Sequence, residues 1–145
     1  MSDANKAIVR RNFEEIWNKE NLAVVDELHA PDYVGHIASG GGEIQGAAAF
    51  KQFVMLQRLA FPDATFMIED QIAEGDKVAT RWTARDTHKG TFRGIAPSGQ
   101  AIQITGISIH RFVNGKIQES WDNWDALSML RGMGQDVFET LSIRF

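Results

Sequence analysis

A histidine and an aspartate, His110 and Asp122, flank an Asn114-Gly115 pair inside the segment Gly106 to Asp125. Asn-Gly between two amphipathic runs marks a tight hairpin, so the two side chains sit on neighbouring strands. If both face the same way among Trp, Phe and Ile, burial and a neighbouring group can move the carboxyl pKa toward neutrality. That is what general acid/base chemistry needs: a group that takes and returns a proton near neutral pH.

The turn decides whether they share a face. A three-residue loop ending in a left-handed Gly115 pairs Phe112 with Lys116 and puts Gly106, Ser108, His110, Gln118, Ser120, Asp122 and Trp124 on one side. A two-residue loop pairs Val113 with Lys116, groups His110 with Glu119, Trp121 and Asn123, and turns Asp122 away.

Around the pair, each remaining candidate has a structural reading and a functional one. Asp125 precedes Ala126-Leu127-Ser128 and suits a helix N-cap, which needs a short acceptor there. His36 can close a cavity mouth, and His88 lies at a strand end or turn. Phe13 and Trp17 can line a pocket or fill plain core. Arg81 and Arg85 alternate with Trp82 on one strand and are expected in solvent. His36, His88 and His110 are too dispersed for a metal-ligand spacing, so no metal is expected.

The elements that position these residues follow from periodicity. From Asp3 to Lys19, apolar Ile8, Val9, Phe13, Ile16 and Trp17 recur at helical spacing opposite Arg10, Arg11, Glu14 and Glu15. Asn21 can cap a second short helix with Leu22, Val25 and Leu28 inward, ended by Ala30-Pro31-Asp32. Tyr33 to Ile37 is a short strand or extended turn, followed by a glycine loop over Ser39 to Gly42. Ala47 to Leu59 is a third helix through Phe50, Phe53, Val54 and Leu56, stopped by Phe61-Pro62-Asp63.

From Ala64 to Trp124 the pattern alternates, with a Glu74-Gly75-Asp76 turn and a loop through Gly94, Pro97 and Gly99, giving at least four antiparallel strands. A short helix follows Asp125 and stops at Gly132 and Gly134, and Gln135 to Phe145 is a last helix or strand. Helices first and a meander afterwards predict an α+β domain whose curved sheet wraps its own helices, leaving a conical interior suited to a small molecule.

The chain has 145 residues, 43% hydrophobic and 23% charged, the size and composition of one globular domain spanning residues 1–145. Its net charge of -4 and scattered 15 Lys and Arg argue against nucleic acid as a partner. There is no cysteine, which removes disulfides, thiolate metal sites and a Cys nucleophile from consideration. No signal-peptide pattern and no membrane-length apolar run are present, so a soluble, cytoplasmic protein without membrane association is expected.

Several stretches resemble the SnoaL-like polyketide cyclase (ester cyclase) group of the nuclear transport factor 2-like superfamily. They are Arg81-Trp82-Thr83-Ala84, Thr87-His88 with Gly90, Gly94 to Gly99, Gly106-Ile107-Ser108-Ile109-His110 through Gly115, Glu119-Ser120-Trp121-Asp122, and Asp125 to Leu130. The resemblance implies a cone-shaped α+β barrel, often a homodimer packed sheet to sheet. It also implies a hydrophobic substrate whose ring is closed by intramolecular aldol chemistry without a cofactor. In that pattern an Asp on a late strand is the general acid/base and a His on the adjacent strand lies nearby. Asp122 and His110 match those positions, with Phe13, Trp17, His36, Ser108 and Trp124 as candidate substrate-binding residues. The resemblance also favours the three-residue hairpin loop.

Overall fold

The computed structural model describes residues 2–38 and 42–134. The expected loop residues 39–41 and the expected last element 135–145 therefore lie outside the described residues. Helix α1 (Ser2–Arg11) continues into a π-helical stretch (Asn12–Trp17), and a 3-10 turn (Leu22–Val24) runs into the one-turn helix α2 (Val25–Leu28). Strand β1 (His29–Ile37) and the short β2 (Gly42–Gln45) precede helix α3 (Ala47–Ala60). Strands β3 (Thr65–Glu74), β4 (Lys77–Thr87), β5 (Ala101–Val113) and β6 (Lys116–Trp124) and helix α4 (Ala126–Gly132) complete the described chain.

The strands form one curved six-stranded sheet in the order β2-β1-β6-β5-β4-β3, and the helices fill its concave side. β1 runs parallel to β6 and every other neighbouring pair is antiparallel, so the sheet is mixed. Two strands join the expected minimum of four. β1 absorbs the segment through Pro31 that the sequence reading assigned to a helix stop, because α2 already ends at Leu28. A proline is tolerated there because β1 is bulged between His29 and Val34. β2 was hidden by Gly42, which reads as loop but sits at φ +72° at the strand's first position.

The first helix changes its winding where its aromatic residues begin. The Asn18 N–H donates to the Phe13 carbonyl at 2.9 Å, an i to i+5 bond that widens the turn. Asn12, Phe13 and Ile16 are all buried there. In α3, Phe50 and Val54 face inward as expected, but Leu56 points into solvent. Its spacing from Val54 is two residues, which on a helix is the opposite side.

The hairpin between β5 and β6 takes the two-residue turn, not the three-residue loop that the resemblance favoured. Val113 pairs with Lys116, and Asn114 and Gly115 both have positive φ, at 51° and 77°. This is the primed turn whose twist matches the strands, and Asn-Gly supplies the two left-handed residues it requires. A bulge then interrupts the ladder: Phe112 pairs with Ile117 but Arg111 pairs with Glu119, leaving Gln118 as the extra residue. β5 keeps strict alternation, with Ile102, Ile104, Gly106, Ser108, His110 and Phe112 inward. On β6 the buried residues are Ile117 and then Ser120, three apart. The bulge thus shifts the phase of β6 and returns Ser120, Asp122 and Trp124 to the concave face.

Candidate active site

The concave face holds a cavity with about 90 Å³ of positions that a water's centre can occupy, room for several waters. Its wall is mostly aromatic and aliphatic: Phe13, Trp17, Phe50, Phe53, Phe66, Trp82 and Trp124 contribute. Trp17 sets its ring edge against Phe50 at 6.0 Å and Phe53 at 5.8 Å between centroids, so the first helix and α3 meet through aromatic edges.

Asp122 lies on this wall, held by two hydrogen-bond relays. The indole N–H of Trp82 donates to Ser108 Oγ at 3.0 Å, and the Ser108 hydroxyl donates to Asp122 Oδ1 at 2.5 Å. Ser120 donates to Asp122 Oδ2 at 3.2 Å, which leaves the Tyr33 hydroxyl to donate to Ser120 Oγ at 2.5 Å. The register creates the arrangement, since Ser108 pairs directly with Asp122 across the two strands. Burial pushes the Asp122 pKa above the ordinary carboxylate range, while the Ser108 and Ser120 hydroxyls, which favour the anion, pull it back. Tyr33 is pushed up as well, by its own burial and then by the charge of Asp122.

His110 pairs with Ser120 one step along the ladder and lines the same cavity. Burial lowers its pKa to about 4, so the imidazole is neutral at pH 7. Its Nδ1 is buried without a hydrogen-bond partner, and its ring meets Phe13 edge-on at 6.4 Å. The sequence reading missed a second buried imidazole, His29, lowered to about 3 by burial and then by the proximity of His110. His29 Nδ1 lies 3.2 Å from the Val25 carbonyl, to which it donates.

Phe13, Trp17, Ser108 and Trp124 are on the cavity wall as expected. His36 is not: its imidazole stacks on Trp121 at 5.5 Å and bonds Glu119 at 2.7 Å and Glu43 at 3.1 Å, away from the cavity. Its strand register pairs it with Trp121, whose side chain alternates opposite to that of Asp122. Asp125 caps α4, accepting the Ser128 N–H at 3.0 Å and the Ser128 hydroxyl at 2.5 Å. Those two bonds hold its pKa below the ordinary range. His88 is fully buried but pinned to a loop, its Nδ1 accepting the Ser98 N–H at 3.2 Å. Arg81 and Arg85 are exposed. Among the described residues, no group of three or more metal-ligating side chains is gathered.

The sequence reading also missed Asp86, on the cavity wall at the far end of β4. Its pKa is raised to about 6, by burial first and by the charge of Asp63 second. The signal was available in the inward alternation Val78, Thr80, Trp82, Ala84, whose next member is Asp86.

With this geometry in place, comparison with known proteins identifies the family. The family profile of the SnoaL-like polyketide cyclases matches residues 7–133. The chain belongs to the SnoaL-like polyketide cyclase family. The chain is 30% identical to nogalonic acid methyl ester cyclase of Streptomyces nogalater over 111 residues, covering 76% of this chain and 83% of that one. Among solved structures, IdmH from Streptomyces antibioticus is 29% identical with a TM-score of 0.78, covering 90% of this chain and 99% of that one. AclR from Streptomyces galilaeus is 29% identical with a TM-score of 0.80, covering 92% and 98%. A SnoaL-like protein from Jannaschia sp. CCS1 superimposes at a TM-score of 0.85 over 91% of this chain and 92% of that one, at 22% identity, a likeness of fold. Membership of this cyclase family supports a cyclase-type function for a chain whose cavity carries a buried carboxyl.

Proposed function

We propose that the protein is a cofactor-independent acid/base enzyme that closes a ring in a hydrophobic, carbonyl-bearing small molecule by intramolecular aldol addition. The observation that carries this reading is Asp122: a carboxyl on an aromatic cavity wall, raised in pKa by burial and oriented by Ser108 and Ser120. A proton beside a carbonyl is weakly acidic, and a carboxylate stripped of water is a stronger base than one in solution.

In this scheme the ionised Asp122 takes a proton from the carbon next to a substrate carbonyl. The enolate carbon then bonds to a second carbonyl carbon of the same molecule, and the new alkoxide oxygen takes the proton back from Asp122. The balance closes without a redox step. His110, neutral at pH 7, offers an N–H to the carbonyl oxygen on which enolate charge develops. Phe13, Trp17 and Trp124 form the apolar wall against which the substrate rests.

Nogalonic acid methyl ester is the first compound to test, because a relative's name specifies it. Asp122→Asn is expected to lose about 10²- to 10⁴-fold in kcat, the usual contribution of one positioned acid/base group. Turnover at the wild-type rate by Asp122→Asn would remove the assigned role. An NMR titration of Asp122 near the free-aspartate value of about 3.9 would favour a non-catalytic binding domain instead.

The same reading includes a homodimer packed sheet to sheet. Ile72, Ala79, Ile109 and Trp121 form one cross-strand row on the convex face, and Ile72 is 66% exposed. An exposed apolar row of this kind fits a protein contact better than water. Sedimentation of wild type against Ile109→Glu tests it: a dimer converted to a monomer supports the contact, and a wild-type monomer removes it.

A further inference from the structure

The cavity has a second polar end that the acid/base scheme does not use. Asp86 pairs with Ile102 on β5, whereas Asp122 pairs with Ser108, six residues further along the same strand. At about 3.3 Å per residue the two carboxyl levels are roughly 20 Å apart in the strand direction. The Asp86 end is framed by the last turn of α3. Ala60 O accepts the Lys89 and Gly90 N–H groups at 3.0 and 3.1 Å, and Asp63 accepts from both the N–H and the hydroxyl of Thr87. This places Gln57, Arg58 and Phe61, all on the cavity wall, at the end where Asp86 sits.

The hydrogen-bonding capacity at this end is not used up internally. Asp86 Oδ1 is buried with no hydrogen-bond partner, and so is Arg58 Nε, although that nitrogen is 3.8 Å from Glu20. A buried acceptor left unpaired is costly and persists where something else satisfies it. Asp63, whose charge raises the Asp86 pKa, is itself an acceptor bound to the N–H and hydroxyl of Thr87 and has no proton to offer Asp86. A ligand hydroxyl fits the set, because it can donate to Asp86 and accept from Arg58 or Gln57.

We propose that Asp86 is a specificity-determining residue that binds a hydroxyl group at the end of an elongated substrate opposite the reacting end at Asp122. This inference rests on the reading that the cavity takes a small-molecule substrate, and it narrows that substrate to a hydroxylated one. Asp86 does no proton transfer in the ring closure. It fixes which end of the molecule enters first and so which carbon reaches Asp122.

The test uses two planar probes that differ only in hydroxyl groups, anthraquinone and 2,6-dihydroxyanthraquinone, whose hydroxyls are too far from the ring carbonyls to bond them internally, with binding followed by quenching of the cavity tryptophans Trp17, Trp82 and Trp124. Wild type is expected to prefer the dihydroxy probe by about tenfold to a hundredfold, the range for one hydrogen bond to a charged group. Asp86→Leu is expected to abolish that preference while binding anthraquinone at least as tightly, and Asp86→Asn to retain part of it. An unchanged preference in Asp86→Leu overturns the proposal, as does a wild type that binds both probes equally or neither. A melting curve for each variant separates loss of fold from loss of recognition. Asp122→Asn serves as the second arm, with its probe preference expected unchanged. If it also turns over substrate at the wild-type rate, the acid/base reading fails while the Asp86 result stands on its own.

Discussion

Ser108 donates its hydroxyl to Asp122 at 2.5 Å because Trp82, donating to the same oxygen at 3.0 Å, fixes which way the hydroxyl proton points. The indole is therefore part of the carboxyl's environment without touching it. Removing the hydroxyl takes away a bond to the charged form, so Ser108→Ala is expected to raise the Asp122 pKa further. In a pH profile of kcat/KM the acidic limb should move to higher pH, with the greatest loss of rate below neutrality. A limb that stays in place would show that Ser108 does not set the carboxyl's ionisation.

Gly106 offers a second way to disturb the same relay. A Cβ at this position would run into the six-membered part of the Trp82 ring, so Gly106→Ala must displace the indole. Overpacking of this kind costs about 1–3 kcal/mol. Thermal unfolding should show a lowered Tm, and the pH profile should shift in the same direction as for Ser108→Ala.

Deletion of Gln118 should separate the turn from the bulge. The Asn114-Gly115 turn is retained, and without the extra residue Ile117 and Glu119 become successive members of a regular ladder, so strict alternation keeps Ser120 and Asp122 on the concave side. Activity is expected to survive, because Asp122 still faces Ser108, and the sheet is expected to stay intact, because Glu119 and Trp121 remain outward. Circular dichroism and a denaturant midpoint measure the second effect independently of the first.

How much of this site could be read from the sequence follows from these residues. The alternation of β5 and the Asn-Gly pair placed His110 and Asp122 on adjacent strands. The face was identified correctly although the turn was not: the expected three-residue loop and the observed two-residue turn plus bulge place Asp122 on the same side. A bulge has no residue signature of its own in Ile117-Gln118-Glu119, so pattern reading cannot locate it. Tyr33 and Trp82 were invisible as partners because their relays depend on packing between distant segments; Tyr33 and Ser120 are 87 positions apart. His36 was misplaced for the opposite reason, since its neighbour across the parallel β1 and β6 pair could not be inferred from local pattern.

Asp86 makes a separate prediction about stability. Its folded-state pKa of about 6 lies above the ordinary 3.8, so the folded chain holds this proton more tightly than the unfolded one. The favourable contribution is present below about pH 4 and lost as pH rises through about 6. Asp86→Asn should therefore match wild type in Tm near pH 4 and exceed it increasingly toward pH 7. A difference independent of pH would assign the effect to packing instead.

His29 and His110 work in the other direction. Both are depressed in the folded state, to about 3 and about 4, against the ordinary 6.5. The stability they confer is complete above about pH 6.5 and is lost as pH falls through 6.5 toward their folded values, because the unfolded chain takes up the protons first. His29→Gln should flatten the acid limb of a Tm against pH curve between pH 6.5 and 4. A limb of unchanged slope would locate the acid sensitivity in other groups.

The parallel pairing of β1 with β6 has a consequence for how the protein is made. Residues 29–37 leave the ribosome early, yet their sheet neighbour is the last described strand, so the phenol that serves the carboxylate waits through most of synthesis for its station. Until residues 116–124 arrive, β1 has only β2 for a neighbour and the long strand β5 presents an unpaired apolar edge, a template for association with other nascent chains. The enclosure around the carboxylate therefore cannot close until the last of these strands is in place.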